Sequence, residues 1–251
     1  MKFQTRISVI EDNDVTIRGE KLSDLVRSWK FSDAIFLELS GRKPTEKESI
    51  LFEKMLVSVL DHGMGTTSSL STRFVASGGN SLNAAVAGGV LSIGDHHGGA
   101  IEKAMQQFYA WKDLKDSEVI SLVKDLIVTK KTLYGFGHKL YKDEDPRVVL
   151  ILKEVEKLGL SSSFLRFKGL VEQVFREVKG KAIPLNIDGC LAMLLCEFGF
   201  DALLGKGIFI IGRTPGLVAQ AYEELKYEKP VRRIEEEEIE YLGEKEPGKS
   251  L

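Results

Sequence analysis

The chain is punctuated along its length by helix starts and helix stops, and almost nowhere by the alternation that builds sheets. Thr45 opens the pattern T-E-K-E directly after Pro44. A threonine N-cap and a glutamate three residues on satisfy each other's backbone N–H groups. The helix that follows carries Leu51, Met55, Leu56 and Val59 and is expected to end near His62-Gly63. Asp145-Pro146 places an aspartate at an N-cap and a proline at the first helical position. That helix runs through VVLILKEVEKL to a stop at Gly159. Further helices are expected over about 163–179 with a stop at Gly180, from near Asp188 to Gly199, and over about 214–226. Residues 5–17 do alternate, with Ile7 and Val9 before an E-D-N-D turn and Val15 and Ile17 after it, which predicts a short hairpin. No βαβ pattern is present, and the one string that fits G-x-x-x-x-G-K-[ST], G-E-K-E-P-G-K-S at 243–250, lies in the charged tail with no strand pattern before it, so it gives no support to a nucleotide-driven reaction. The expected fold class is all-α with a short N-terminal β-hairpin.

A chain of 251 residues can bury a sizeable core without disulfides or metals. Its net charge of −2 gives no footprint for nucleic acid or an anionic membrane. No apolar run approaches the roughly 18 residues a membrane span needs. The opening MKFQTRISVIEDND has charges where a signal peptide needs an apolar stretch, so a cytoplasmic protein is expected. Cys190 and Cys196 share one apolar run, make no zinc pattern, and read as buried thiols in a reducing compartment. Residues 80–93 are packed with alanine and glycine. They read either as a tight helix–helix or subunit contact or as an ordinary alanine-rich core helix. From residue 231 on, the tail is a charge run with little to bury.

The four histidines, His62, His96, His97 and His138, all lie in glycine-rich stretches, D-H-G-M-G, G-D-H-H-G-G-A and G-F-G-H-K. Glycine flanks suit a close approach of backbone to ligand. Each histidine taken singly is explained as well by a structural role at a helix end. A metal site is a third reading, although no Cys or Glu-x-x-His partner stands at ligand spacing. Arg147 sits in the first turn of the helix opened by Asp145-Pro146, where free N–H groups already favour an anion. Arg213 lies in G-R-T-P-G, and arginine suits bidentate holding of carboxylates. Either arginine could instead form a surface ion pair. Asp188 sits in a polar break, N-I-D-G, between apolar runs. Partial desolvation there would raise its pKa and make it a better base. It could also be only a helix cap. Residue types alone therefore point to an anionic, polycarboxylate substrate and to acid/base chemistry by His and Asp.

Several of these segments, in order along nearly the whole chain, resemble the citrate synthase superfamily. They are FLELSGRKPTEKE (36–48), S-T-R-F-V-A-S (71–77) leading to H-G-G-A at His97, G-F-G-H-K-L-Y-K-D-E-D-P-R (135–147), N-I-D-G (186–189) and G-R-T-P-G-L-V-A-Q (212–220). The resemblance implies an all-α fold of two domains, residues 1–96 with 194–251 as the large one and 97–193 as the small one. It also implies a homodimer or higher homo-oligomer whose site borrows residues from the partner. Carried over, it implies His97, His138 and Asp188 as catalytic. His97 would hold the thioester oxygen, Asp188 would exchange the proton on the acetyl carbon, and His138 would handle the proton on the four-carbon unit's oxygen. His62, Arg147 and Arg213 would hold substrate carboxylates, with Lys229, Arg232 and Arg233 as candidates reaching the partner's site. Gly135, Gly137 and Lys142 would line a coenzyme A site.

The departures from the family pattern are informative. D-H-G at 61–63 stands for the family's D-H-E, G-D at 94–95 stands for G-P, and the chain is far shorter than a typical synthase. These features resemble the C-terminal lyase module of ATP-citrate lyase and its stand-alone equivalents, the citryl-CoA lyases. His97, however, is kept as in synthases. The implied activity is cleavage of citryl-CoA to acetyl-CoA and oxaloacetate, with no permanently bound cofactor and the coenzyme A thioester as substrate. The alternatives are a short citrate or 2-methylcitrate synthase, or a catalytically dead coenzyme A-binding scaffold.

Overall fold

The computed structural model describes residues 2–11, 13–138 and 140–243. Three short antiparallel strands, β1 (Ser8–Glu11), β2 (Asp14–Ile17) and β3 (Glu20–Lys21), stand in that order at the N-terminus. Val9 pairs with Thr16 and Ile10 with Val15, so the expected hairpin is present and gains a third strand. The rest is helical: α1 (Leu22–Ser28), α2 (Phe31–Ser40), α3 (Glu46–Ser58), α4 (Thr67–Ser77), α5 (Leu82–Leu91), α6 (Ala100–Trp111), α7 (Asp116–Val128), α8 (Pro146–Lys157), α9 (Arg166–Lys179), α10 (Ile187–Glu197) and α11 (Leu204–Tyr227).

Helix α10 is buried all round from Gly189 to Cys196, as a helix with no polar face must be. It packs along α6, whose Ile101, Ala104, Met105 and Phe108 are fully buried. One contiguous apolar cluster runs from Phe36, Phe52 and Met55 through Phe108 and Phe167 to Leu191, and so joins both segments expected as domains. Both cysteines are buried free thiols, and burial pushes each up to about 12, which makes them inert.

The caps form where the sequence placed them. Thr45 Oγ1 accepts from Glu48 N at 3.3 Å, and Glu48 Oε2 accepts from Thr45 N at 2.8 Å. Asp145 caps α8 by accepting from Arg147 N at 3.1 Å.

Two expectations need correction, and one open reading is narrowed. Helix α3 ends at Ser58 rather than near His62-Gly63, because α11 takes over its C-terminal backbone: Arg213 Nε donates to Val59 O at 2.7 Å. Gly212 and Gly216 bring the two helices that close. A Cβ at Gly216 would run into the Leu60 carbonyl, and one at Gly212 would lie 3.0 Å from Leu56 O. Helix α11 begins at Leu204, well before the Thr-Pro pair read as its start. Pro215 lies inside the helix on an exposed position, so the missing N–H costs less than the burial of the flanking turns gains. The small residues of α5, finally, serve a contact within the chain. Ala85 and Gly89 are buried, and Cβ atoms at Gly88 and Gly89 would meet Val75 and Thr72 of α4.

Candidate active site

Four helix N-termini converge on one cavity of about 170 Å³. Thr66, the N-cap of α4, lines it, as do Gly98 just before α6, Arg147 in the first turn of α8, and Asn186, Ile187 and Asp188 at the start of α10. Each N-terminus brings free N–H groups and the positive end of a helix dipole. His62, His96, His97, His138, Phe209 and Arg213 complete the lining. The structure thus gathers His62, His97, His138, Arg147, Asp188 and Arg213 from stretches 151 residues apart in sequence.

Arg213 is only 3 % exposed, and its Nη1 is buried with no protein partner. Nε is used on Val59 O, and the guanidinium carbon lies 5.0 Å from the centre of the Phe209 ring. A buried cationic donor with no acceptor is costly and asks for an anion. Arg147 spends Nε and Nη2 on a bidentate pair with Asp145, at 3.0 and 2.7 Å, which fixes its fork at the mouth of α8. Burial pushes the Asp145 carboxyl up, but the pair with Arg147 outweighs it and holds Asp145 below the usual range.

His97 rides on a tight turn in which the N–H groups of His97 and Gly99 both reach Gly94 O at 2.9 Å. Gly98 there has φ +81°, and a Cβ on it would strike Phe209. Ser68 Oγ lies 2.8 Å from His97 Nε2. His138 accepts at Nδ1 from the N–H groups of Leu140 and Tyr141, each at 3.1 Å, and stacks on Tyr141 with ring centres 4.6 Å apart. Two donors on Nδ1 leave Nε2 as the proton-bearing nitrogen of the neutral ring. His62, His97 and His138 are all held below the ordinary histidine value, chiefly by burial; nearby cations add to this, and at His138 the Asp145 carboxylate opposes it. Arg147 and Arg213 bring fixed positive charge to the site, and these surroundings bias the three histidines toward the neutral ring.

Asp188 is the second residue of α10. Asn186 is the cap, with Oδ1 accepting from Gly189 N at 3.0 Å, so capping does not explain Asp188. Burial pushes the Asp188 carboxyl up to about 6, against the pull of Arg147 and Arg213. A strap ties its helix to the His138 loop. Gly137 N donates to Pro184 O at 2.8 Å, Asn186 N to Gly135 O at 3.0 Å, and Asn186 Nδ2 to Gly137 O at 2.8 Å.

The remaining expected residues lie elsewhere. Gly135, at φ +85°, is pressed against Gly189, so its missing side chain lets the two backbones pack closely. Gly137, at φ +81°, has more room, with Ile183 at 3.9 Å. Lys142 is exposed and its Nζ donates to His138 O at 3.3 Å. Lys229, Arg232 and Arg233 are not among the residues lining this chain's cavity, and Arg232 is engaged bidentately by Glu224 at 2.9 and 2.6 Å. Sequence reasoning missed Asn186, which an Asn before an apolar run could have signalled as a cap. It also missed Ser68, for which no local signal exists.

The family model for the citrate synthase C-terminal domain matches residues 34–234. A citrate synthase of Heyndrickxia coagulans is 29% identical over 226 residues, which is 86% of this chain and 58% of that protein. A citrate synthase of Helicobacter pylori is 32% identical over 217 residues, 81% of this chain and 49% of that protein. The chain thus spans about half the length of the curated relatives it matches. The solved structure of citryl-CoA lyase from Hydrogenobacter thermophilus superposes with a TM-score of 0.92 at 45% identity, covering 99% of this chain and 97% of that one.

Proposed function

The chain belongs to the citrate synthase family, and on that premise we propose that it is a citryl-CoA lyase, cleaving citryl-CoA to acetyl-CoA and oxaloacetate. The observation that carries the reading is the match in fold and length to a citryl-CoA lyase, beside a cavity built for a polycarboxylate. Arg213 Nη1, Arg147 and His62 hold the carboxylates of the four-carbon unit. His138 donates from Nε2 to the oxygen that is a hydroxyl in citryl-CoA and a carbonyl in oxaloacetate. In the tautomer this reading assigns, Ser68 Oγ, 2.8 Å away, donates to His97 Nε2, and His97 offers the proton on Nδ1 to the thioester oxygen, which stabilises the enolate.

Because His138 already carries a proton on Nε2, it is poorly placed to take another. The simplest balanced route gives both transfers to Asp188. Its carboxylate takes the hydroxyl proton as the C–C bond breaks, and the electron pair moves onto the thioester enolate. The resulting carboxyl then protonates the methylene carbon. A group titrating near 6 suits both halves of this exchange.

The active assembly is a homodimer or larger, in which Lys229, Arg232 or Arg233 reaches the partner's site. The face of α4, α5 and α11 supports it, leaving Phe74, Leu82, Leu91 and Tyr222 exposed. Residues 97–193 act as the small domain, closing over coenzyme A bound near Gly137 and Lys142 in a cytoplasmic enzyme. Among the described residues no helix is long and apolar enough to cross a membrane, and no cluster of His, Cys, Asp and Glu could hold a metal. The test feeds synthetic citryl-CoA to the purified protein and follows oxaloacetate through coupled NADH oxidation. Release that Asp188→Asn abolishes supports the assignment; equal rates in both proteins would remove Asp188 from the chemistry.

A further inference from the structure

His62 sits in a loop with little to hold it. Residues 61–65 have no helical or strand bonds, and Cβ atoms at Gly63 or Gly65 would meet nothing within 4 Å. What anchors the loop is a chain of hydrogen bonds that begins deep between α4 and α11. Glu224, 3 % exposed, accepts from Arg73 Nη1 at 3.0 Å and from Arg232. Arg73, 4 % exposed, also pairs with Glu223 and donates from Nε to Gln220 Oε1 at 2.7 Å. Gln220 Nε2 donates to Asp61 Oδ2 at 3.0 Å. Asp61 Oδ1 closes the chain by accepting the N–H groups of His62 at 2.6 Å and Gly63 at 3.0 Å.

The order of donors and acceptors in this chain is forced. A guanidinium can only donate and an ionised carboxylate can only accept. Gln220 is the link that turns one into the other, so its amide has one usable orientation. Burial pushes the Asp61 carboxyl up, but the bonds from Gln220, His62 and Gly63 outweigh it and keep it ionised.

We propose that Gln220 is a positioning residue for His62, transmitting the fixed geometry of the Arg73–Glu224 cluster through Asp61 to the loop that presents the histidine to substrate. It does not line the cavity itself. The inference rests on the reading in which His62 contacts the four-carbon acid. The relay also links that loop to Arg232, the first basic side chain of the C-terminal segment beyond α11 that is held in place.

The test inverts the polarity of the link. Gln220→Glu keeps an acceptor for Arg73 but sets a carboxylate against Asp61. Asp61→Asn sets an amide N–H against the Gln220 N–H while keeping an oxygen for the loop. Each single change leaves two like groups facing each other. The double variant restores the bond in reverse, with the new amide at position 61 donating to the new carboxylate at position 220. In the free protein, amide hydrogen exchange at His62 and Gly63 is expected to quicken at least tenfold in each single variant and to return within threefold of wild type in the double. Oxaloacetate binding by calorimetry should weaken and recover in parallel, with melting temperatures nearly level. If Gln220→Glu does not fold, Asp61→Asn alone carries the test, since Asp61 is exposed. Exchange unchanged in the singles, or no recovery in the double, overturns the relay. A relay confirmed by exchange in a wild-type protein that fails to bind oxaloacetate would overturn the functional reading instead.

Discussion

Replacing Arg213 with methionine separates what the residue does for the fold from what it does for the ligand. In the free protein the change removes one hydrogen bond from a charged group, Nε to Val59 O at 2.7 Å, worth about 1.5–3 kcal/mol. It also removes a buried cation whose Nη1 has no partner, which offsets the loss. The methionine chain keeps much of the apolar contact with Phe209. The expected net change in stability is within about 1 kcal/mol. The ligand loses a hydrogen bond to a charged group, about 1.5–3 kcal/mol, or roughly ten- to 150-fold in affinity. At a concentration of oxaloacetate about 100 times the wild-type dissociation constant, ligand stabilises wild type by about 2.7 kcal/mol. A roughly hundredfold weaker variant keeps only about 0.4 kcal/mol under the same conditions. Differential scanning fluorimetry would read this as an upward shift of about 5–10 °C in wild type that all but vanishes in the variant. Equal ligand shifts in both proteins would refute the argument. So would a variant that unfolds several kcal/mol more readily while binding normally, since Arg213 would then be a structural residue.

Other changes probe other parts of the account. Asp188→Asn should keep fold and binding but lower turnover by about 10²–10⁴-fold, and activity within a few fold of wild type would exclude it as the proton carrier. The same variant tests linkage. The native carboxyl titrates near 6 against 3.8 when unfolded, so the native state binds more protons in that window. Wild type should therefore lose stability relative to the asparagine variant as pH rises from about 4 to 6, a difference read by urea melts of both proteins. Gly135→Ala should destabilise by more than about 2 kcal/mol because its Cβ meets the Gly189 backbone at positive φ, whereas Gly137→Ala should cost about 1 kcal/mol. Leu91→Asp together with Phe74→Asp should dissociate the assembly in light scattering, while Gly88→Leu should lower the melting temperature by crowding Val75 within the chain.

The parts legible in the sequence are those whose physics is local. The Thr45 and Asp145 caps are satisfied by atoms two or three residues away, so their signals survive in the string. His62, His97, His138, Arg147, Asp188 and Arg213 were legible because each stands in a short motif of glycine or polar residues, and the motifs keep their order. What was illegible depends on neighbours far along the chain. Pro215 looked like a helix start because only the packing of α11 on α3 and α4 shows that the helix runs through it. That Gly135 also serves helix packing shows only once Gly189 appears against it. The alanines and glycines of α5 signalled a close approach correctly but could not say to what, and the answer is α4. Gln220 and Ser68 carry no local signal, since each matters only through a partner more than twenty residues away.

The most direct test of the central claim is the partition of one substrate between two fates. Purified protein is given synthetic citryl-CoA, and acetyl-CoA with oxaloacetate is quantified against coenzyme A with citrate by mass spectrometry. Separately it is given acetyl-CoA and oxaloacetate, and free thiol is followed. The account predicts that citryl-CoA is converted almost entirely to acetyl-CoA and oxaloacetate, with negligible thiol release in the second assay. Hydrolysis of citryl-CoA to citrate, with efficient citrate formation from the two smaller substrates, would contradict it and make the protein a synthase.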